Sequence, residues 1–278
     1  MKRLLIVGFG DVARRTAALL GKGVDVRAVS RSRGLDLDRA LSLSTLAGWA
    51  GPVLYCVPPP NAGTADPRTA NLLAAFEAGG ILPSRIVYIG TSGVYGVCAG
   101  ELVDETRPLN PQTARAVRRA DAERQLLAWG RRHAKPVVLL RAPGIYAADR
   151  LPAERLMKGT PVLAYEDDIY TNHIHADDLA AVALAALDES APAGAYNASD
   201  DSQMKMGEWF DFVAARLGLP PPPRVSRKDA GKTIPAQLLS FMGESRRLVN
   251  RKMKEALGVR LRYPTVCDGV PARKEAVA

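Results

Sequence analysis

Five short, largely apolar runs recur through the first half of the chain. They are RLLIVG (3–8), VDVRAVS (24–30), PVLYCV (52–57), RIVYIGT (85–91) and PVVLLRA (136–142). Strands that are covered on both faces read this way. Between them lie DVARRTAALLGKG, DLDRALSLSTLAGWAG, PRTANLLAAFEAGG and QTARAVRRADAERQLLAWGRRH, which read as helices. The alternation predicts an α/β fold with a doubly wound parallel sheet. Beyond Arg141 the rhythm loosens into loop and helix. NHIHADDLAAVALAALDES predicts a helix capped by Asp177 or Asp178, because a short acidic side chain can accept the free N–H groups of a first turn. GAYNASD predicts a sixth strand, MGEWFDFVAARLGL an amphipathic helix, SRRLVN a short extended piece and NRKMKEALGVRLRYP a final helix.

Composition narrows the possibilities. With 278 residues, 47% hydrophobic, the chain can build one large core or two modest ones. No apolar run approaches the roughly 20 residues that span a bilayer. The basic tip Met1-Lys2-Arg3 leads into a short apolar run and a glycine turn, so it reads as a first strand rather than a signal peptide. Three scattered cysteines (Cys56, Cys98 and Cys267) make no disulfide framework and suit a reducing, cytoplasmic setting. The three histidines (His133, His173 and His175) show no metal-ligand spacing, so no metal is expected. A net charge of +9 raises the question of nucleic acid. The arginines and lysines are spread along the chain without an aromatic-studded basic motif, which argues against that partner and suits anionic small molecules.

The glycine turn carries the first chemical signal. Gly8-x-Gly10-x-x-Ala13 follows a predicted strand and opens a predicted helix. The first glycine permits the tight turn and the second lets backbone approach a pyrophosphate. A small third residue allows close helix–strand packing. The phosphates would meet the positive end of the helix. Gly8, Gly10, Asp11 and Val12 are therefore candidate cofactor residues. The next strand ends in Ser30, Arg31 and Arg33, with no carboxylate before Asp36. An acid at this point holds the ribose hydroxyl of NAD, whereas an arginine accommodates a 2′-phosphate. NADP is expected over NAD.

Four stretches, GFGDVA, RIVYIGTSGVYG, LLRAPGIYAADR and NHIHADDLA, make the chain resemble the extended short-chain dehydrogenase/reductases, the NAD-dependent epimerase/dehydratase family. YCVPPP and GAYNASDD point to an atypical, nucleoside-diphosphate-sugar epimerase-like branch. The resemblance implies a Rossmann-type sheet with a smaller C-terminal substrate domain. Residues 1–147 plus 172–201 would form the first and 148–171 plus 202–278 the second. It implies a homodimer, and cofactor contacts from Pro58, Pro59, Thr91 and Pro143. It also implies a Ser/Thr–Tyr–Lys site, in which ionised tyrosine is the base, lysine lowers its pKa and the hydroxyl orients substrate.

This chain departs from that pattern. Thr91 matches the hydroxyl position, with Ser92 as its neighbour. Where Tyr-x-x-x-Lys should lie, alignment on Pro111 and Glu123 places Arg115 and Arg119. Their spacing keeps them on one helix face. Arginine does not give up its proton in a protein, so Arg115 cannot be the acid–base, while Arg119 can still hold a ribose or phosphate. Thr91, Ser92, Tyr95, Arg115 and Arg119 are the candidate catalytic set, although a tyrosine in Tyr95's position more often packs. Glu123, one turn from Arg119, suggests an ion pair within the helix. Tyr146, Arg150, Asn172 and His175 are candidate substrate contacts, and Arg141 is a further candidate for an anionic substrate. Two functions fit: an oxidoreductase with a rearranged active site acting on a small or sugar-nucleotide substrate, or a non-catalytic NADP-binding sensor or scaffold.

Overall fold

The computed structural model describes residues 1–272, apart from the side chains at positions 40, 41 and 237. The last six positions of the expected substrate domain, 273–278, lie outside the described residues. Six strands form the main sheet: β1 (Arg3–Val7), β2 (Asp25–Val29), β3 (Val53–Tyr55), β4 (Ile86–Ile89), β5 (Val137–Arg141) and β6 (Gly194–Asn197). Their order is β6-β5-β4-β3-β1-β2, and every pairing is parallel. This is a Rossmann-like doubly wound sheet.

Strand alternation explains the layers. Leu4, Ile6, Leu54, Val87, Val138 and Leu140 face one side, where α1 (Asp11–Ala18) and α4 (Ala176–Ala186) cover them. Leu5, Val7, Val53, Tyr55, Ile86, Tyr88 and Leu139 face the other, under α2 (Pro67–Glu77) and α3 (Ala114–His133). A separate cluster forms around Tyr146, Leu156, Val162, Trp209, Phe210 and Val266, built largely on α5 (Met206–Leu217). Among the described residues no helix is long and apolar enough to cross a membrane.

Several local expectations are corrected. The stretch expected as a helix over 36–51 makes only a 3-10 turn at Ala40–Leu46. There the Ser42 hydroxyl bonds the Asp36 and Arg39 carbonyls, competing with helical pairing. The N-terminus of α4 is capped by neither acid. His175 Nδ1 accepts from the Asp177 N–H at 3.2 Å. Asp178 instead accepts from the Arg262 and Tyr263 N–H groups at 2.7 and 2.9 Å. The last predicted helix spans only Arg251–Ala256. Gly258, at φ +63°, turns the chain away, and Asp178 anchors the segment beyond it.

The sheet order reverses direction between β1 and β3. Ligands of such sheets bind outside the carboxyl ends of the strands at that switch point. Gly8–Gly10 follow β1 here, and Cys56–Pro58 follow β3.

Candidate active site

Gly8 adopts φ +93°, and its N–H donates to the Val29 carbonyl at 2.9 Å. A Cβ here would lie 2.8 Å from Val57 Cγ2 and 2.9 Å from the Val57 nitrogen. Only glycine fits that turn. Gly10 is the N-cap of α1 and offers no side-chain cap. A Cβ at Gly10 would meet nothing within 4 Å, because the position opens on a cleft of about 690 Å³. The free N–H groups of the first turn of α1 are thus available to an anion at its mouth.

Gly8, Gly10, Asp11 and Val12 line one end of this cleft, with Ser30, Arg31 and Pro58 beyond them and Arg119 among its walls. The Asp11 carboxylate would oppose a phosphate, but Arg15 and Arg150 pair with it at 3.1 and 2.9 Å. Arg15 also holds Asp149 and Asp177, at 2.9 and 2.7 Å. Asp36 lines the cleft too, its carboxylate accepting the Asp38 N–H at 3.1 Å. Arg68 is a lining residue that the sequence did not flag. It donates to the Pro58 carbonyl at 2.9 Å and pairs with Asp38 at 2.6 Å. These residues fit a nicotinamide dinucleotide: a cradle without side chains at the helix end, and hydroxyl and guanidinium groups beyond β2.

A second cavity, of about 350 Å³, lies alongside, and Ile145 and Arg150 border both. Gly90 belongs to the first and the adjoining Thr91 to the second. Thr91, Ser92, Arg115, Pro143, Tyr146, Arg150 and Asn172 all line this second space. Thr91 Oγ accepts the Gly93 N–H at 3.2 Å. Arg119 Nη1 donates to Tyr88 Oη at 2.8 Å and to the Ile89 carbonyl at 3.1 Å, which fixes it under the first cavity. Burial pushes the Tyr88 hydroxyl up to about 12, so it stays protonated. Arg115, one turn earlier, lies over the Phe241 ring at 3.9 Å. Arg115 and Arg119 thus serve one cavity each.

Other candidates fall elsewhere. Tyr95 is buried and reaches neither cavity; its hydroxyl donates to Asn197 Oδ1 and accepts from Arg141 Nη1, both at 2.8 Å. With both capacities spent in the core, it is a packing residue. Arg141 is buried against Glu123 with a closest approach of 2.8 Å. It is therefore not a substrate contact, and Glu123 does not pair with Arg119. Arg33 does not itself line the cleft and lies 4.5 Å over Phe9, which does. Pro59 is buried and lines neither space. His175 packs on Tyr263 with ring centres 3.9 Å apart, away from both cavities. The Asn172 side chain is consumed by the Arg246 carbonyl and the Leu248 N–H at 3.0 and 2.8 Å, which seats the strand Arg247–Leu248.

The groups that usually pass protons are poorly set for it. Burial lifts Tyr146 above the normal phenol range, and its hydroxyl donates to the Thr265 carbonyl at 3.2 Å. Burial lowers His173 to about 3, so it is neutral, with its Nδ1 unpartnered. The unfolded histidine takes up a proton near pH 6.5 and the folded one does not, so stability falls as pH drops from 6.5 toward 3. The slope is about 1.4 kcal/mol per pH unit for one such group. Urea unfolding at pH 7 and pH 5 should show the loss, and His173→Phe should lessen it.

The sequence carries the family's signature across its centre. The model of the NAD dependent epimerase/dehydratase family matches residues 68–199. Over that stretch the chain resembles the NAD-dependent epimerase/dehydratase family. A functionally unknown conserved protein from Silicibacter pomeroyi DSS is 30% identical, covering 97% of this chain and 96% of that one, with a TM-score of 0.80. A 3-diazoavenalumate denitrifying reductase from a Streptomyces species is 28% identical over 211 residues, 73% of this chain and 68% of the other. The UDP-glucose 4-epimerase of Thermus thermophilus, solved with NAD, shares the fold at 21% identity, with a TM-score of 0.72 and 96% of each chain covered. Within this epimerase/dehydratase frame, the residues that the sequence left unremarked are Arg155, Phe241, Glu244 and Arg246. All four line the second cavity. They come from short segments with no motif around them.

Proposed function

We propose that the protein is a reductase dependent on a nicotinamide dinucleotide, NADP rather than NAD, acting on a small substrate held in the second cavity. One observation carries this reading: Arg115 and Arg119, which the sequence aligns with the family's acid–base pair, line the two abutting cavities. A nicotinamide dinucleotide, when bound, supplies a hydride. Gly8, Gly10 and the end of α1 would hold its phosphates, Ser30 and Arg31 its adenosine end, and Arg119 the inner end of the cleft. Guanidinium groups hold and orient but do not transfer protons at working pH. The reaction they suit delivers hydride to a centre electron-poor enough that water, rather than a protein acid, supplies the balancing proton. The name of the Streptomyces relative, a denitrifying reductase of a diazo compound, supports that class. A sugar-nucleotide epimerisation, which needs a base, is disfavoured by the same two residues.

The test is consumption of NADPH by nucleotide-free protein offered electron-poor carbonyl, imine and diazo carboxylic acids. Turnover with any of them is expected. Tight NADPH binding with no consumption across the panel would instead favour a non-catalytic cofactor binder.

The cofactor preference has its own check. Ser30 stands where an NAD site places an acid, and Arg31 lines the cleft beside it. A charge-assisted bond to a 2′-phosphate contributes about 1.5–3 kcal/mol. Arg31→Ala should therefore weaken NADPH about tenfold to a hundredfold in a calorimetric titration and leave NADH almost unchanged.

A further inference from the structure

Four arginines line the second cavity: Arg115, Arg150, Arg155 and Arg246. The one carboxylate among its lining residues is Glu244. Arg246 takes one Glu244 oxygen at 3.1 Å, and Arg150 reaches out to Asp11. Neither of the other two arginines forms an ion pair, although Glu244 lies near enough to Arg115 to favour its charge. Among the described residues Arg115 makes no hydrogen bond or ion pair and rests only on Phe241. Arg155 lies 4.0 Å over Phe210 and donates to the Pro161 carbonyl at 3.2 Å. Its Nε is buried without a partner, as are Arg246 Nε, Glu244 Oε1 and His173 Nδ1. Four of the described protein's unsatisfied buried polar side-chain atoms thus belong to residues around one small space. Burial pulls Arg155 down to about 10. It also lowers Arg115, with Arg119 and Arg246 adding to the effect against Glu244.

Desolvating a cation without a counter-charge costs several kcal/mol, so proteins seldom leave it unpaired. A space lined by guanidinium groups that lack an ion-pair partner is completed by an anion. The remaining walls say what carries it. Tyr146, Trp209, Phe210 and Phe241 add aromatic side chains to the lining. The volume of about 350 Å³ sits near the small end of ligand sites, which run from roughly 300 to 1,000 Å³. A sugar nucleotide brings two phosphates, a base and many hydroxyls, for which these ring walls offer few partners.

We propose that the second cavity binds a compact ring-bearing carboxylic acid, with its carboxylate on Arg115 and its ring among the aromatic walls. The planar guanidinium fork matches a carboxylate with two parallel hydrogen bonds. This deepens the proposed function by naming the substrate class of the same site, and it rests on that reading for calling the space a substrate site.

Cinnamate serves as the probe, with cinnamamide as its neutral analogue and UDP-glucose as the competing class. Each is titrated into the full chain, with and without NADPH, and NADPH binding is measured separately. Saturable cinnamate binding is expected, at least tenfold tighter than cinnamamide and tighter than UDP-glucose. Arg115→Gln should bring cinnamate down to the cinnamamide level, at unchanged NADPH affinity and melting temperature. Arg115→Lys should keep part of the affinity. Arg155→Gln gives a second, independent loss should Arg115→Gln fail to fold. Equal binding of cinnamate and cinnamamide, tighter binding of UDP-glucose, or full cinnamate affinity in Arg115→Gln would each overturn the proposal. Loss of NADPH binding with cinnamate binding intact would defeat the reductase reading alone.

Discussion

Replacing Glu123 by alanine should destabilise the protein by about 3–5 kcal/mol, the usual cost of stranding one member of a buried ion pair. Glu123 is 1% exposed and Arg141 5%. Arg141 Nε reaches both carboxylate oxygens at 3.2 Å, and Nη2 reaches one at 2.8 Å. Nη1 then donates to Tyr95, which donates to Asn197. Asn197 Nδ2 continues to the Val103 and Val249 carbonyls at 3.0 and 3.1 Å. One chain of bonds thus ties α3, β5, β6 and the segment after β4 that carries Thr91. Glu123→Ala leaves the guanidinium buried without its acid, whereas Glu123→Gln keeps hydrogen bonds and should cost less. A paired Glu123→Leu, Arg141→Met change should recover much of the loss, since apolar replacements of buried pairs are often neutral. Urea unfolding measures all three. A loss below about 1 kcal/mol for Glu123→Ala would mean that the pair is not what fixes this side of the site.

The second large effect separates two glycines that a sequence motif treats alike. Gly8→Ala should cost about 2–4 kcal/mol of stability, from the left-handed backbone and from pressing a methyl group on the Val57 backbone. Gly10→Ala meets nothing in the protein and should fold with a nearly unchanged melting temperature. Its methyl group enters the cleft, so NADPH affinity should fall at least tenfold. Thermal unfolding and a titration on both variants check the contrast. Full NADPH affinity in Gly10→Ala would place the pyrophosphate elsewhere.

Much of this was legible in the sequence because it is local. Buried strands read as apolar runs, and the glycine turn lies between its strand and its helix. Spacing alone suggests Arg115 and Arg119 at the tyrosine and lysine positions, and the structure adds which cavity each one lines. What was not legible depends on distant partners. Glu123 looked like a helix-surface ion pair with Arg119 until β5 brought Arg141 to it. Tyr95 was a catalytic candidate of a kind that more often packs, and Asn197, 102 positions away, is the partner that holds it in the core. Arg155, Glu244 and Arg246 sit in short segments whose burial depends on how the chain after β5 folds back. His175 capping α4 was missed because two acids beside it are the commoner caps.

The most direct measurement is a calorimetric titration of folded, nucleotide-free protein with NADPH and, separately, NADH. Saturable 1:1 NADPH binding, at least tenfold tighter than NADH and weakened by Gly10→Ala, is the expected result. No heat of binding from either nucleotide would mean that the turn at Gly8 is architecture alone, and the proposed reductase would fall with it.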